Sequence, residues 1–217
     1  MSTEIRVAIA DDHKIFRKGV ILCLRQYSNI KFVLEAENGE ELLQNIQAAN
    51  PQVVLMDLRM PIKDGIEATK YISKHYPNIA VLVLTMHDEE KFVTHLMENG
   101  ANGYLLKNAD PTEIKKAITE VVAKGYYLNN YVNRILLKRA HNKTKNININ
   151  ASSLEISDKE KNVLRFLCME FTSQQIGEKM NISARTVETI KERLMERFGA
   201  KNTAGLVFFA VKNDLVD

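Results

Sequence analysis

Asp11-Asp12, Asp57, Thr85 and Lys107 each stand directly after a short apolar run, and together their types point to one chemistry. Three carboxylates brought within a few ångströms repel one another, and the usual compensations are a divalent cation, a raised pKa or a lysine. A hard cation is the simplest. Magnesium holds carboxylates and waters and also binds phosphoryl oxygens, while Lys107 supplies a point charge and the Thr85 hydroxyl a donor to the same group. The set suits phosphoryl transfer to oxygen. Asp57 is the best placed nucleophile, because Leu58 to Gly65 follows it with Pro61 and Gly65 shaping a turn over the site. An aspartate can attack phosphorus to give an aspartyl phosphate, and the backbone carbonyl of Arg59 is free to ligate metal. Taken singly these residues are ordinary: an Asp-Asp pair caps helices, and a strand-end lysine is usually solvated. Their joint placement carries the reading.

That placement requires a particular fold. Apolar runs over 5–10, 31–36, 52–57, 79–85 and 102–107 predict strands, and amphipathic stretches over 13–27, 39–49, 65–75, 89–99 and 111–124 predict helices. Strict β-α alternation implies a parallel sheet with helices on both faces, an α/β doubly wound domain extending to about residue 126. Uninterrupted apolar strands such as Val53-Val54-Leu55-Met56 agree with burial on both sides. Ligand sites in such sheets lie beyond the carboxyl ends of the strands, and the order 2-1-3-4-5 makes those ends adjacent. After residue 153 the pattern is helical only, over 158–170, 173–180, 184–198 and 202–213. Ser157 with Glu160 forms a capping box, Ser183 is a good N-cap, and Met180-Asn181-Ile182-Ser183 joins two helices as in a helix-turn-helix.

The 217 residues suit two domains, with 45% hydrophobic and 26% charged residues, a globular mix rather than a disordered or coiled-coil one. The net charge of +3 divides unevenly: residues 1–128 sum to −2, 129–153 to +5 and 154–217 to zero. The middle stretch also holds seven asparagines and reads as a connector, giving domains at 1–126 and 154–217 with a basic, Asn-rich linker over 127–153. No run approaches a membrane span and no signal-peptide core follows the N-terminus, so a cytoplasmic protein with no membrane partner is expected. Cys23 and Cys168 fall in apolar helical patterns and are expected to be buried, reduced thiols.

Asp11-Asp12, the segment Asp57 to Gly65, Leu84-Thr85 and Gly103-Tyr104-Leu105-Leu106-Lys107 together resemble a response-regulator receiver domain, a flavodoxin-like fold, over residues 4 to about 125. The resemblance implies that a sensor histidine kinase phosphorylates Asp57, that Asp12 and Asp57 ligate Mg2+ directly and Asp11 through water, and that Thr85 then turns toward the phosphoryl group while Tyr104 rotates inward. Such a receiver catalyses its own phosphoryl transfer and dephosphorylation without otherwise being an enzyme. His13 is expected exposed at the start of the first helix; Met86 and His87 flank the site, where they tune phosphate lifetime. Ile156 to Glu160, Thr172 to Asn181 and Ile182 to Thr189 resemble the LuxR-type helix-turn-helix, an all-α four-helix domain, and the whole chain is similar to the NarL/FixJ family of transcriptional regulators. In that family the third of these helices enters the major groove of double-stranded DNA. Its buried stripe is Val187, Ile190, Leu194 and Phe198. The opposite face is Arg185, Glu188, Thr189, Glu192 and Arg193. Arg185, Thr186, Lys191 and Arg193 are then expected at phosphates, and Glu188, Thr189 and Glu192 at base edges. The terminal helix, with Leu206, Val207, Ala210 and Val211, pairs DNA-bound modules in this family, so a homodimer is expected when the chain is phosphorylated or DNA-bound. The zero charge of the module departs from the usual basic excess, and Ile190 stands where the family often has His. Two rivals remain open: a magnesium-dependent phosphatase or phosphotransferase, which would turn over small substrates, and an interaction module that no longer binds DNA, which would fail a DNA selection.

Overall fold

A computed structural model describes residues 4–86, 90–129, 156–213 and 215–216. The chain forms two compact units, Met1–Tyr127 and Leu128–Asp217. In the first, β1 (Ile5–Ala10), α1 (Lys14–Leu24), β2 (Ile30–Ala36), α2 (Gly39–Ala49), β3 (Val53–Asp57), α3 (Gly65–His75), β4 (Ala80–Thr85), α4 (Glu90–Glu98), β5 (Gly103–Leu106) and α5 (Pro111–Lys124) alternate without exception. All strand pairings are parallel, in the order β2-β1-β3-β4-β5. Val53 to Met56 are wholly buried, as a strand covered on both faces must be. Val20, Ile21, Leu24, Ile114, Ile118 and Val121 of α1 and α5 pack against one face of the sheet. Local chemistry starts the helices: Asn38, Asp64 and Asp110 cap α2, α3 and α5, the last with Pro111 in the first turn.

Register decides which residues meet at the carboxyl edge. Ala10 pairs with Met56, Asp57 with Leu84, and Thr85 with Leu106. Asp11, Asp57, Thr85 and Lys107 therefore emerge side by side from four adjacent strands.

Three expectations are corrected. α1 ends at Leu24 rather than at Tyr27, because a turn follows in which the Tyr27 N–H bonds the Leu24 carbonyl. Cys23 is exposed, since Val20, Ile21 and Leu24 take the inward face and leave it outside. Tyr127 is no part of a free linker: it bridges to Gly103 at the sheet edge and its N–H bonds the Asn102 carbonyl. The stretch 130–155, which holds most of the basic linker, and His87 lie outside the described residues. Cys168 is mostly buried, and burial pushes its thiol up to about 11, so it is an inert thiol at neutral pH.

The second unit comprises α6 (Asp158–Cys168), α7 (Ser173–Met180), α8 (Ala184–Phe198) and α9 (Thr203–Lys212). Both Ser157 with Glu160 and Thr172 with Gln175 form reciprocal capping boxes, and Ser183 caps α8. The α7–α8 turn is tight. Asn181 is left-handed at φ 53°, and a Cβ on Gly177 would lie 2.7 Å from the Ile182 carbonyl oxygen, so only glycine allows this approach. Val187, Ile190 and Leu194 are buried as the spacing predicts, whereas Phe198 is half-buried and stacks on Phe209 at 4.6 Å. Leu206, Val207 and Ala210 of α9 are buried and Val211 is half-buried. Among the described residues, no helix is long and apolar enough to cross a membrane.

Candidate functional site

At the carboxyl edge of the sheet, Lys107 Nζ sits 2.8 Å from Asp11 Oδ2 and 2.9 Å from Asp57 Oδ2. All three side chains are nearly sealed from water, at 7%, 2% and 6% exposure for Lys107, Asp11 and Asp57. The second oxygen of each carboxylate is held by backbone: Asp57 Oδ1 accepts from Leu58 N–H at 2.8 Å and Asp11 Oδ1 from His13 N–H at 2.8 Å. Asp11 Oδ2 has the lysine close by but off the direction of a hydrogen bond, which leaves a buried carboxylate oxygen short of a donor.

The charges strain against their burial. Desolvation raises the Asp57 pKa, and Asp11 adds to the rise, while Lys107 and the Leu58 N–H pull it down without cancelling the shift. For Lys107, burial opposes the ammonium, but its interactions with Asp11 and Asp57 outweigh that and raise its pKa. The lysine thus stays charged between the two buried carboxylates. Its ammonium also lies over the Phe16 ring, with Nζ 4.9 Å from the centroid.

Asp12 completes the cluster from the exposed side, with its Oδ1 2.8 Å from His13 Nδ1. Ligand atoms of Asp11, Asp12, His13 and Asp57 all lie within 4.8 Å of one another, a group able to hold a metal ion. A cleft of about 530 Å³ opens beside it, lined by Asp12, Leu58, Arg59, Met60, Pro61, Asp64 and Ile66. Asp12 and Arg59 thus border the same cleft. Gly65 makes the turn after Asp57 possible: a Cβ there would fall 1.9 Å from the Asp57 carbonyl oxygen. Thr85 is buried at the end of β4, where its carbonyl accepts from Lys107 N–H at 2.8 Å, and Tyr104 is fully enclosed in β5. His13 is exposed, as expected, and Met86 is exposed at the rim.

Sequence reasoning missed Arg17. It is buried in α1, donates to the Asp11 carbonyl oxygen at 2.5 Å and to Glu37 Oε1 at 2.9 Å, and so ties the end of β1 to the segment after β2. The available signal was a charged residue on the inward face of α1, beside Val20 and Ile21.

In the helical unit, Arg185, Glu188, Thr189, Glu192 and Arg193 of α8 are exposed along one face, as the spacing predicts. Thr186 is half-buried, with its hydroxyl 2.8 Å from that of Ser183. Lys191 departs from expectation. It is buried, with Nζ held by Glu188 at 3.0 Å and Ser173 at 3.3 Å, so it does not offer its ammonium to an external phosphate. A second cleft of about 670 Å³ borders the same face, lined in part by Lys159, Arg185 and Arg193 with the helix-capping residues Ser157 and Ser183.

A parallel sheet whose strand ends converge on a lysine-bridged acid cluster, followed in the chain by a helix-turn-helix, defines a two-component response regulator. Known proteins agree with that class. The family described as response regulator receiver domain matches residues 7–119, and bacterial regulatory proteins of the luxR family match residues 154–210. The chain is 30% identical over 225 residues to the transcriptional regulatory protein DegU of Brevibacillus brevis, covering 98% of this chain and 95% of that protein. It is 31% identical over 216 residues to the oxygen regulatory protein NreC of Staphylococcus haemolyticus, covering 98% and 100%. Among solved structures it resembles the RcsB response regulator of Salmonella typhimurium with a TM-score of 0.58 and 30% identity, over 95% of this chain and 97% of that one. RcsB has also been solved in complex with DNA, a structure to which this chain is 28% identical with a TM-score of 0.57, over 97% of this chain and 99% of that one. The chain belongs to the response-regulator family with a LuxR-type output domain, and it is a transcription regulator.

Proposed function

We propose that this chain is a phosphorylation-controlled DNA-binding regulator in which Asp57 accepts a phosphoryl group from the phosphohistidine of a sensor histidine kinase. The observation that carries the reading is the Lys107 ammonium bridging two buried carboxylates 2.8 and 2.9 Å away at adjacent strand ends. That ammonium opposes the rise that burial causes in the Asp57 pKa and so favours the ionised form a nucleophile needs, and it is positioned to follow an oxygen of the incoming group. An Asp57 oxygen attacks phosphorus, the bond from phosphorus to the histidine nitrogen breaks, and the imidazole leaves with the electron pair. Lys107 and the Thr85 hydroxyl then partner the new phosphoryl oxygens.

The donor set fits Mg2+: carboxylates of Asp11, Asp12 and Asp57, the Arg59 carbonyl, and a buried Asp11 oxygen lacking a hydrogen bond. An ion held by these residues would supply positive charge to the phosphoryl oxygens. Phosphorylation adds about −1.5 to −2 charges at Asp57. Thr85 and Tyr104 respond to it and bias the receiver surface around α4, β5 and α5, and through it dimerisation and DNA binding.

The organisation that serves this is a receiver over 1–127, a connector over 128–153 and a DNA-binding unit over 154–217, working in the cytoplasm as a homodimer on double-stranded DNA. Arg185, Thr186 and Arg193 meet phosphates, and Glu188, Thr189 and Glu192 face base edges; the DNA-bound RcsB relative supports this use of the helical unit. The acceptor is tested by intact mass. With a small-molecule phosphodonor and magnesium, the wild type gains about 80 Da, the mass of one phosphoryl group. An equal gain at an equal rate in Asp57→Asn would overturn the assignment.

A further inference from the structure

The exposed face of α8 carries a carboxylate, Glu188, where a polyanion would be expected to repel it. The surroundings of Glu188 remove that conflict. Its Oε1 accepts from the Ser173 hydroxyl and from Lys191 Nζ at 3.1 Å, and its Oε2 accepts from the same ammonium at 3.0 Å. Lys191 Nζ also donates to Ser173 Oγ at 3.3 Å, closing a three-residue ring between the start of α7 and the second turn of α8. The lysine side chain is only 7% exposed and the glutamate 50%, so the cation lies on the protein side of the carboxylate.

The ammonium cancels the net charge of Glu188, so approach to phosphates is no longer penalised by a bare carboxylate. The ring also fixes a flexible side chain before any partner arrives, so its rotamer entropy is not lost on binding. Of the roughly four lone-pair positions on a carboxylate three are occupied, so the half-exposed Glu188 keeps about one acceptor position for a partner. Burial alone would raise the Glu188 pKa, but the Ser173 hydroxyl and Lys191 outweigh it and hold the group ionised.

We infer that Glu188 is a specificity-determining residue, a pre-oriented acceptor for the exocyclic amino group of a cytosine in the major groove, with Ser173 and Lys191 as its positioning residues. Glutamate paired to cytosine N4 is a recognised major-groove contact. The inference rests on the reading of the helical unit as DNA-binding. Lys191 thereby acts behind the reading face instead of at a phosphate.

The test is a selection of double-stranded DNA from a random library by the full-length chain, followed by titrations of the best site and its single-base-pair variants. The wild type prefers a G·C pair at one position of each half-site by about tenfold or more. Glu188→Gln and Lys191→Met each bring that preference to within about twofold at that position alone, Lys191→Arg restores most of it, and the double variant falls no further. Ser173→Ala, which leaves the ion pair and hence the fold in place, lowers the same preference by about threefold. If Lys191→Met and Ser173→Ala weaken binding to every sequence alike, with the base preference intact, the ring is merely structural and the inference is wrong. If the wild type enriches no sequence at all, the DNA-binding reading itself fails, and the inference fails with it.

Discussion

Replacing Lys107 by methionine keeps most of the unbranched apolar stem and removes the ammonium, leaving Asp11 and Asp57 buried together with no cation. Their ligand atoms lie within 4.8 Å, where two like charges at an effective dielectric of about 20 repel by about 3.5 kcal/mol. Removing one partner from a buried ion pair costs about 3–5 kcal/mol, a similar magnitude. At roughly 3–5 °C per kcal/mol for a unit of this size, the receiver transition falls by about 10–20 °C at pH 7.5 without divalent cations. The pH dependence has a definite sign. Burial already raises Asp57 against the pull of Lys107, so without the ammonium Asp57 titrates higher still in the folded chain than in the unfolded one, and the folded chain holds a proton the unfolded chain has released. The deficit is therefore largest at neutral pH and shrinks as pH falls through the raised titration range. Magnesium, replacing the missing positive charge, shrinks it as well. Calorimetry of the full chain measures this directly, with the helical unit's own transition as internal reference. A variant that melts within about 3 °C of wild type at pH 7.5, or that loses more stability at pH 5 than at pH 7.5, would refute this electrostatic role for Lys107.

Ile62 is a β-branched residue at φ 69° and 83% exposed, so Ile62→Asn relieves backbone strain without loss of packing and stabilises the receiver by about 1 kcal/mol in denaturant unfolding. Gly65→Ala forces a Cβ into the Asp57 carbonyl, displaces the end of β3, and slows phosphorylation by at least about tenfold in single-turnover assays. Neutralising Lys138, Arg139, Lys143 and Lys145 of the basic stretch flattens the dependence of DNA affinity on salt, by about 0.9 in log–log slope for each DNA phosphate left without its cation.

Much of the site was legible because parallel sheets place strand ends in register. Asp11, Asp57, Thr85 and Lys107 follow apolar runs at the right places, and the pairing of Ala10 with Met56 and Thr85 with Leu106 is what that alternation requires. Capping residues were equally plain, since Ser157 and Glu160 are three apart and act locally. Periodicity failed where a side chain has two characters. Lys191 counts as charged, yet its stem is buried and its ammonium is paired across two helices, an arrangement that sequence spacing alone does not reveal. Arg17 misleads in the same way, being charged on an inward face because the Asp11 carbonyl and Glu37 wait there. Cys23 was misplaced for the opposite reason: it is apolar in type but falls beside the inward stripe of α1. The same ring changes how the charges of α8 are read, because those of Glu188 and Lys191 cancel internally and leave Arg185 and Arg193 with Glu192 on the outer face.

Control of DNA binding through Asp57 is decided by the affinity of wild type and Asp57→Asn for a selected DNA site, with and without phosphodonor and magnesium. A hundredfold change on phosphorylation corresponds to about 2.7 kcal/mol of differential stabilisation. Phosphodonor changes the wild-type affinity toward that magnitude and leaves Asp57→Asn unmoved. An equal response in both proteins, or none in the wild type once its phosphorylation is verified by mass, would contradict it.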